Sequence, residues 1–221
     1  MPVGKLSFSG SPYLGVYLRV GEKIAVVPPT CPGELVRASE HTLGVKVIRS
    51  RIADSELVGS LLAMNDHGAV ISEELTPAER GRLEESFRVT VVRSRLNALG
   101  NIVLANNRGA VCHPEFTANE RRHLSDALGV TVVPSTVAGL GTVAMAAAAT
   151  DRGAVIHPRA TPKELETIEG ALGVPVHRST ANFGVPLVGA CLVANSRGFI
   201  VGDPTTPVEM VHLQEGLKIF D

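Results

Sequence analysis

Four threonines in this chain share a fixed neighbourhood. Thr76, Thr117, Thr161 and Thr206 each stand eight residues after a glycine (Gly68, Gly109, Gly153, Gly198) and three before a glutamate (Glu79, Glu120, Glu164, Glu209). Ten residues past each glutamate comes a β-branched residue: Val89, Val130, Val174, Ile219. Five past the first three of these comes a serine: Ser94, Ser135, Ser179. A degenerate first copy places Lys23, Cys31, Glu34, Val45 and Ser50 in the same register, with one extra residue in its helix. The turn glycines recur at steps of roughly 40–45 residues, a period that marks a repeat architecture. The 221 residues therefore hold five units.

The stretch Leu104 to Val130 gives one unit its physical reading. Asn106-Asn107-Arg108-Gly109 is turn chemistry: Asn bonds its own backbone, and Gly tolerates positive φ. Ala110-Val111-Cys112 is a short strand ended by His113-Pro114, because Pro cannot donate to a ladder. Thr117 and Glu120 are spaced to cap each other's backbone at a helix start. Leu124, Ala127 and Leu128 fall on one helical face. Gly129 suits the left-handed residue that closes a helix, and Val130 opens another strand. The unit is hairpin, helix, strand, so the fold class is α/β with five ββαβ-type repeats.

The two ends of the chain complement each other. Ser9 stands six residues before Gly15, as Ser94 does before Gly100, and so takes the register of the repeat serines. The last unit stops at Asp221, short of its serine. The N-terminal strand is expected to complete the last repeat and close a ring, which removes exposed sheet edges. An open solenoid would need polar capping repeats, and the sequence has none. The expectation is a single domain, 1–221, with repeats near 1–50, 51–94, 95–135, 136–179 and 180–221.

Composition narrows the function. A net charge of −1 argues against a protein that binds nucleic acid mainly by neutralising phosphates. Three cysteines, Cys31, Cys112 and Cys191, follow no metal spacing and suit a reducing, cytoplasmic setting. MPVGKLSFSG lacks the apolar run of a signal peptide. Val137 to Thr150 is too short and too weakly apolar to span a bilayer. No membrane or DNA partner, no metal and no cofactor is expected.

A second class of connection lies between each serine and the next hairpin. It holds a glycine six residues before the turn residue: Gly59, Gly100 and Gly189, with Ala144 in the fourth copy and Gly15 as the near match in the first. Six residues of strand would put these loops roughly 20 Å from the turns. The ring should therefore have a turn face and a glycine-loop face. Variable loops on a regular scaffold are where binding concentrates. The exposed candidates on that face are Ser55, Glu56, Ser60, Asn97, Asn101, Asn182 and Phe183.

Arg95-Leu96-x-Ala98-Leu99-Gly100-Asn101, the four Asn/Thr-x-x-Gly turns, His113-Pro114 and His157-Pro158 resemble the archaeal and eukaryotic translation initiation factor 6 family, in its tail-less archaeal form. The resemblance covers essentially the whole chain. It implies the pentein fold, an α/β propeller of five repeats around a pseudo-fivefold axis. It implies an anti-association factor that binds the large ribosomal subunit on its intersubunit face and blocks joining of the small subunit. Catalysis is not implied. The implied partner is an L14-type ribosomal protein, near the sarcin–ricin loop of rRNA, with a further role in ribosome biogenesis. Contact is implied on the glycine-loop face: Gly100 and Asn101 in the Ala-Leu-Gly-Asn motif, then Gly59, Ser60, Gly189 and Ala190 at equivalent offsets. Ala144-Met145 departs from the pattern. A monomer in the cytoplasm is expected.

Penteins also include hydrolases that modify guanidinium groups through a Cys nucleophile. Cys112 beside His113, and Cys191, supply the ingredients, but both sit in strand patterns typical of buried free Cys. His113 and His157 read as strand-end polar residues. Arg49, Arg93 and Arg178 precede repeat serines, where pairing with carboxylates is favoured over an rRNA-facing ring.

Overall fold

The structure, a computed structural model, describes residues 3–220. The terminus at Asp221 lies outside them. The first strand is β1 (Val3–Leu6). The first repeat follows with α1 (Leu14–Tyr17), β2 (Arg19–Val20), β3 (Ile24–Val27), α2 (Gly33–Thr42) and β4 (Lys46–Arg49). The second has α3 (Val58–Leu61), β5 (Ala63–Met64), β6 (Ala69–Ile71), α4 (Pro77–Glu84) and β7 (Val89–Val91). The third has α5 (Leu99–Ile102), β8 (Val103–Ala105), β9 (Ala110–Cys112), α6 (Ala118–Leu128) and β10 (Val132–Pro134). The fourth has α7 (Val143–Ala146), β11 (Ala147–Ala149), β12 (Ala154–Ile156), α8 (Pro162–Leu172) and β13 (Val176–Arg178). The fifth has α9 (Val188–Cys191), β14 (Leu192–Asn195), β15 (Gly198–Gly202) and α10 (Pro207–Leu217).

Each repeat makes one three-stranded sheet, an antiparallel hairpin whose second strand pairs in parallel with the strand after the long helix. In the fifth sheet that parallel strand is β1, with Val3 opposite Phe199 and Leu6 opposite Gly202. The ring closes around the axis in two layers. The first hairpin strands β2, β5, β8, β11 and β14 each touch the next, and β14 touches β2. The one-turn helices α1, α3, α5, α7 and α9 do the same, α9 against α1.

Packing explains why the repeats need one another. The core around α6 takes Ala63 and Val70 from the second repeat, and the core around α8 takes Leu104 and Val111 from the third. The core around α2 takes Val193 and Ile200 from the fifth. Each hydrophobic cluster is thus finished by the preceding repeat. Thr76, Thr117, Thr161 and Thr206 all form reciprocal capping boxes with their glutamates.

Two local expectations change. The glycines at 59, 100 and 189 stand in one-turn helices, not loops, and the strands that follow have only two to four residues. Their Cα atoms press on neighbouring backbone: a Cβ at Gly59 would overlap Gly15 O, one at Gly100 would overlap Gly59 O, and one at Gly189 would overlap Ala144 O. The turn glycines differ too. Among the described residues Gly68, Gly109 and Gly153 are absent from the positive-φ set, so conformational freedom is not their role. Close approach is: a Cβ on Gly109 would strike Ala171 O, and one on Gly68 would strike Ala127 O.

Candidate functional site

Strand direction fixes two faces. β6 leaves the hairpin turn and runs away from it, and β7 runs parallel to β6. The segment after β7 and its counterparts therefore lie opposite the turns, and the one-turn helices enter from that side.

On the turn face the polar groups are spent on the ring itself. Asn106 Oδ1 accepts from the Arg108 and Gly109 N–H groups at 2.9 Å each. Asn106 Nδ2 donates to Thr150 O and Leu172 O of the next repeat, 3.0 Å each. Asn65 does the same toward Asn106 O and Leu128 O, and Asn195 toward Leu43 O. Around the axis the Asp66 N–H donates to Asn107 Oδ1, and the Asn107 N–H donates to Asp151 Oδ1. Glu22 of the atypical first turn accepts from the Asp151 and Ser196 N–H groups.

The opposite face is built differently. Its reversals are closed by isolated bridges, Phe8 with Ser11, Ile52 with Ser55, Val137 with Leu140, and Ala181 with Val185. Within them Ser9, Ala53, Asp54, Ala138, Asn182 and Phe183 take positive φ, and Ala98, outside these bridges, does so at the start of α5. Such strain persists only where surroundings enforce it, and it concentrates at functional sites. At three of these turns the enforcing group is the capping-box glutamate of the following long helix, whose second oxygen reaches back to the turn. Glu79 accepts from the Asp54 N–H at 2.9 Å, Glu164 from the Gly139 N–H at 3.0 Å, and Glu209 from the Gly184 N–H at 2.7 Å. Thr136 and Thr180 hydroxyls donate to Glu164 and Glu209 as well. Burial opposes the charge of both carboxyls, but these bonds outweigh it and hold each down to about 2. In the third repeat Glu120 makes no such bond to a loop N–H; its carboxyl is lowered by Ser94 and Thr117 hydroxyls.

This face also carries exposed apolar side chains. Phe183 is 80% exposed, with Tyr13, Leu57 and Leu140 near 40%. Tyr13 and Leu57 stand two residues before Gly15 and Gly59, an offset that could have singled them out in the sequence.

The six sequence-derived candidates are brought to this layer in different states. Gly59, Gly100 and Gly189 are buried against neighbouring helices. Ser60 and Ala190 are also buried, Ser60 with its hydroxyl 3.5 Å from Val16 O. Asn101 is half-buried, at the turn of α5 opened by the left-handed Ala98, and its Oδ1 has no hydrogen-bond partner. Two expectations of exposure fail. Ser60 is covered by its neighbour α1. Asn182 is buried, bonding Pro12 O through Nδ2 and the Thr205 hydroxyl through Oδ1. The arginine reading shifts as well: Arg93 pairs with Glu74 at 3.3 Å, but Arg49 and Arg178 donate to backbone carbonyls of Pro29, Cys31 and Ala160.

The histidines act locally: His113 and His157 Nδ1 accept from the N–H two residues on. Cys112 and Cys191 are fully buried, and burial pushes both thiols up to about 12. No group of three His, Cys, Asp or Glu among the described residues is arranged to hold a metal. No helix among them is long and apolar enough to cross a membrane.

The family model described as the eIF-6 family matches residues 3–216. The chain belongs to the eIF-6 family. A relative from Hyperthermus butylicus is 55% identical over 219 residues, covering 97% of each chain. One from Archaeoglobus fulgidus is 39% identical over 213 residues, 96% of this chain and 99% of its own. One from Methanocella arvoryzae is 36% identical over 219 residues, 99% of each. All three are named translation initiation factor 6. The match runs through all five sheets of the ring.

Proposed function

We propose that this protein is a translation initiation factor that binds the large ribosomal subunit through the loop face and keeps the small subunit from joining. It acts as a steric block and catalyses nothing. Its main contact is an L14-type ribosomal protein beside the sarcin–ricin loop, and the same contact serves large-subunit biogenesis. It works in the cytoplasm as a monomer. The contact centres on Gly100-Asn101, with Gly59-Ser60 and Gly189-Ala190 forming the packed floor that fixes the height of the surface.

The observation that carries this reading is a face whose turns are held at positive φ and which exposes Phe183, Tyr13, Leu57 and Leu140, with the half-buried Asn101 on the same face. Apolar side chains left in solvent on one face mark a surface that a partner can cover. A near-neutral chain suits a footing on protein better than one on RNA phosphates. The rival reading, a guanidinium hydrolase, needs an accessible low-pKa thiol, and Cys112 and Cys191 are the reverse.

The test is co-sedimentation with separated ribosomal subunits, followed by a subunit-joining assay. Binding to large subunits alone with blocked joining supports the reading; binding to neither subunit overturns it.

A further inference from the structure

Four residues past the repeat glycine the chain carries Arg19, Ala63, Leu104, Ala148 and Val193. Four of these are apolar; the first is a cation. Arg19 heads β2 and lines a small axial cavity of about 40 Å³ together with Gly15, Ala144, Ala148 and Gly189. Part of the Arg19 side chain stays accessible, while burial of its guanidinium pushes it down to about 10. Among the described residues it makes no ion pair. Its Nε has no partner.

A buried cation without a counter-ion is a poor device for stability, since apolar replacements of buried charges are often neutral or better. What Arg19 does have is a specific pair of acceptors. Its Nη2 donates to Gly59 O in α3 and to Gly100 O in α5, the second at 2.5 Å. Both carbonyls belong to one-turn helices with few internal bonds of their own, where a cation offsets unsatisfied C=O groups. No repeat counterpart can do this, because Ala63, Leu104, Ala148 and Val193 have no donor in the side chain. The residue that follows Gly100 is Asn101.

We propose that Arg19 is a positioning residue: from inside the ring it ties α3 to α5 and so fixes the height and angle at which Asn101 meets its partner. This rests on the functional reading above. It places a determinant of binding at a residue that never touches the partner.

Arg19→Met removes the fork at similar length, and Arg19→Lys keeps the charge with a single nitrogen. Affinity for purified large subunits, thermal midpoint and amide hydrogen exchange are measured on all three proteins. Arg19→Met should bind roughly tenfold more weakly, the loss of about one charge-assisted bond. Exchange should quicken over 58–62 and 99–103 and stay unchanged at the turns 65–68 and 106–109. Arg19→Lys should recover part of the affinity; if Arg19→Met does not fold, Arg19→Lys alone carries the comparison. Affinity within about twofold of the parent, or exchange quickened evenly over both faces, overturns the proposal. A parent chain that fails to bind large subunits overturns the functional reading instead.

Discussion

The turn face and the loop face are made by the same five repeats, yet they use their polar groups in opposite ways. At the turn face Asn65, Asn106 and Asn195 each satisfy their own turn and reach into the next repeat. At the loop face the backbone is bent against its preference at Ala53, Ala98 and Ala138, apolar rings and chains stand in solvent, and Asn101 Oδ1 goes unpaired. One face is finished by intramolecular bonds. The other is held ready by them, through Glu79, Glu164 and Glu209. Stability should therefore track the first face and binding the second.

The sharpest way to break this contrast is at a turn glycine. Gly109→Ala drives a Cβ into Ala171 O, and overpacking of this kind costs ~2–3 kcal/mol. The thermal midpoint should fall by about 5–10 °C for a chain of this size, while the folded protein still binds large subunits with unchanged affinity.

Next come the two asparagines five residues apart. Asn106→Ala forfeits two donors and two accepted bonds in a buried site and should cost ~2 kcal/mol of stability with no change in binding. Asn101→Arg should do the converse: a midpoint shift equivalent to less than ~0.5 kcal/mol, and large-subunit binding weakened roughly tenfold or more. Equal affinities for the two variants would erase the contrast.

Acid should separate the faces as well. Glu164 and Glu209 have folded values near 2, below the ordinary 4.5. Their contribution is complete above about 4.5 and is lost as pH falls from there through 2. Amide exchange should then quicken first at Gly139 and at Phe183-Gly184, ahead of the turns at 106–109. Glu209→Gln should remove the pH dependence at Phe183-Gly184 only. The smallest effect is expected for Phe183→Ser, within ~0.5 kcal/mol of the parent in stability because the ring is already in water, with a measurable loss of affinity.

Much of the turn face was written in the sequence, because local rules govern it. The Asn-x-x-Gly turns and the left-handed Gly129 follow from bonds within a few residues, as do the Thr-x-x-Glu caps at the opposite end of the helices. Closure was legible from the register of Ser9, since a strand missing at one end and spare at the other has one economical solution. What stayed hidden depends on contacts between repeats. Gly109 looked like a conformational glycine and is a steric one, because Ala171 lies a repeat away. Ala98 carries no signal for a left-handed residue, yet it opens α5 in that conformation. Ser60 and Asn182 looked like loop polars and are buried by α1 and by Pro12 and Thr205. Arg19 breaks the repeat pattern, and an exception to a pattern gains meaning only when its acceptors are seen.

The loop face should meet the large subunit, and the turn face should not. The most direct measurement is amide exchange of the protein alone and bound to purified large subunits. Protection confined to 97–102 and to the turns at 53–57 and 182–185, with 65–68, 106–109 and 195–198 unchanged, is the predicted result. Protection at the Asn-x-x-Gly turns with the loop face unchanged would contradict it.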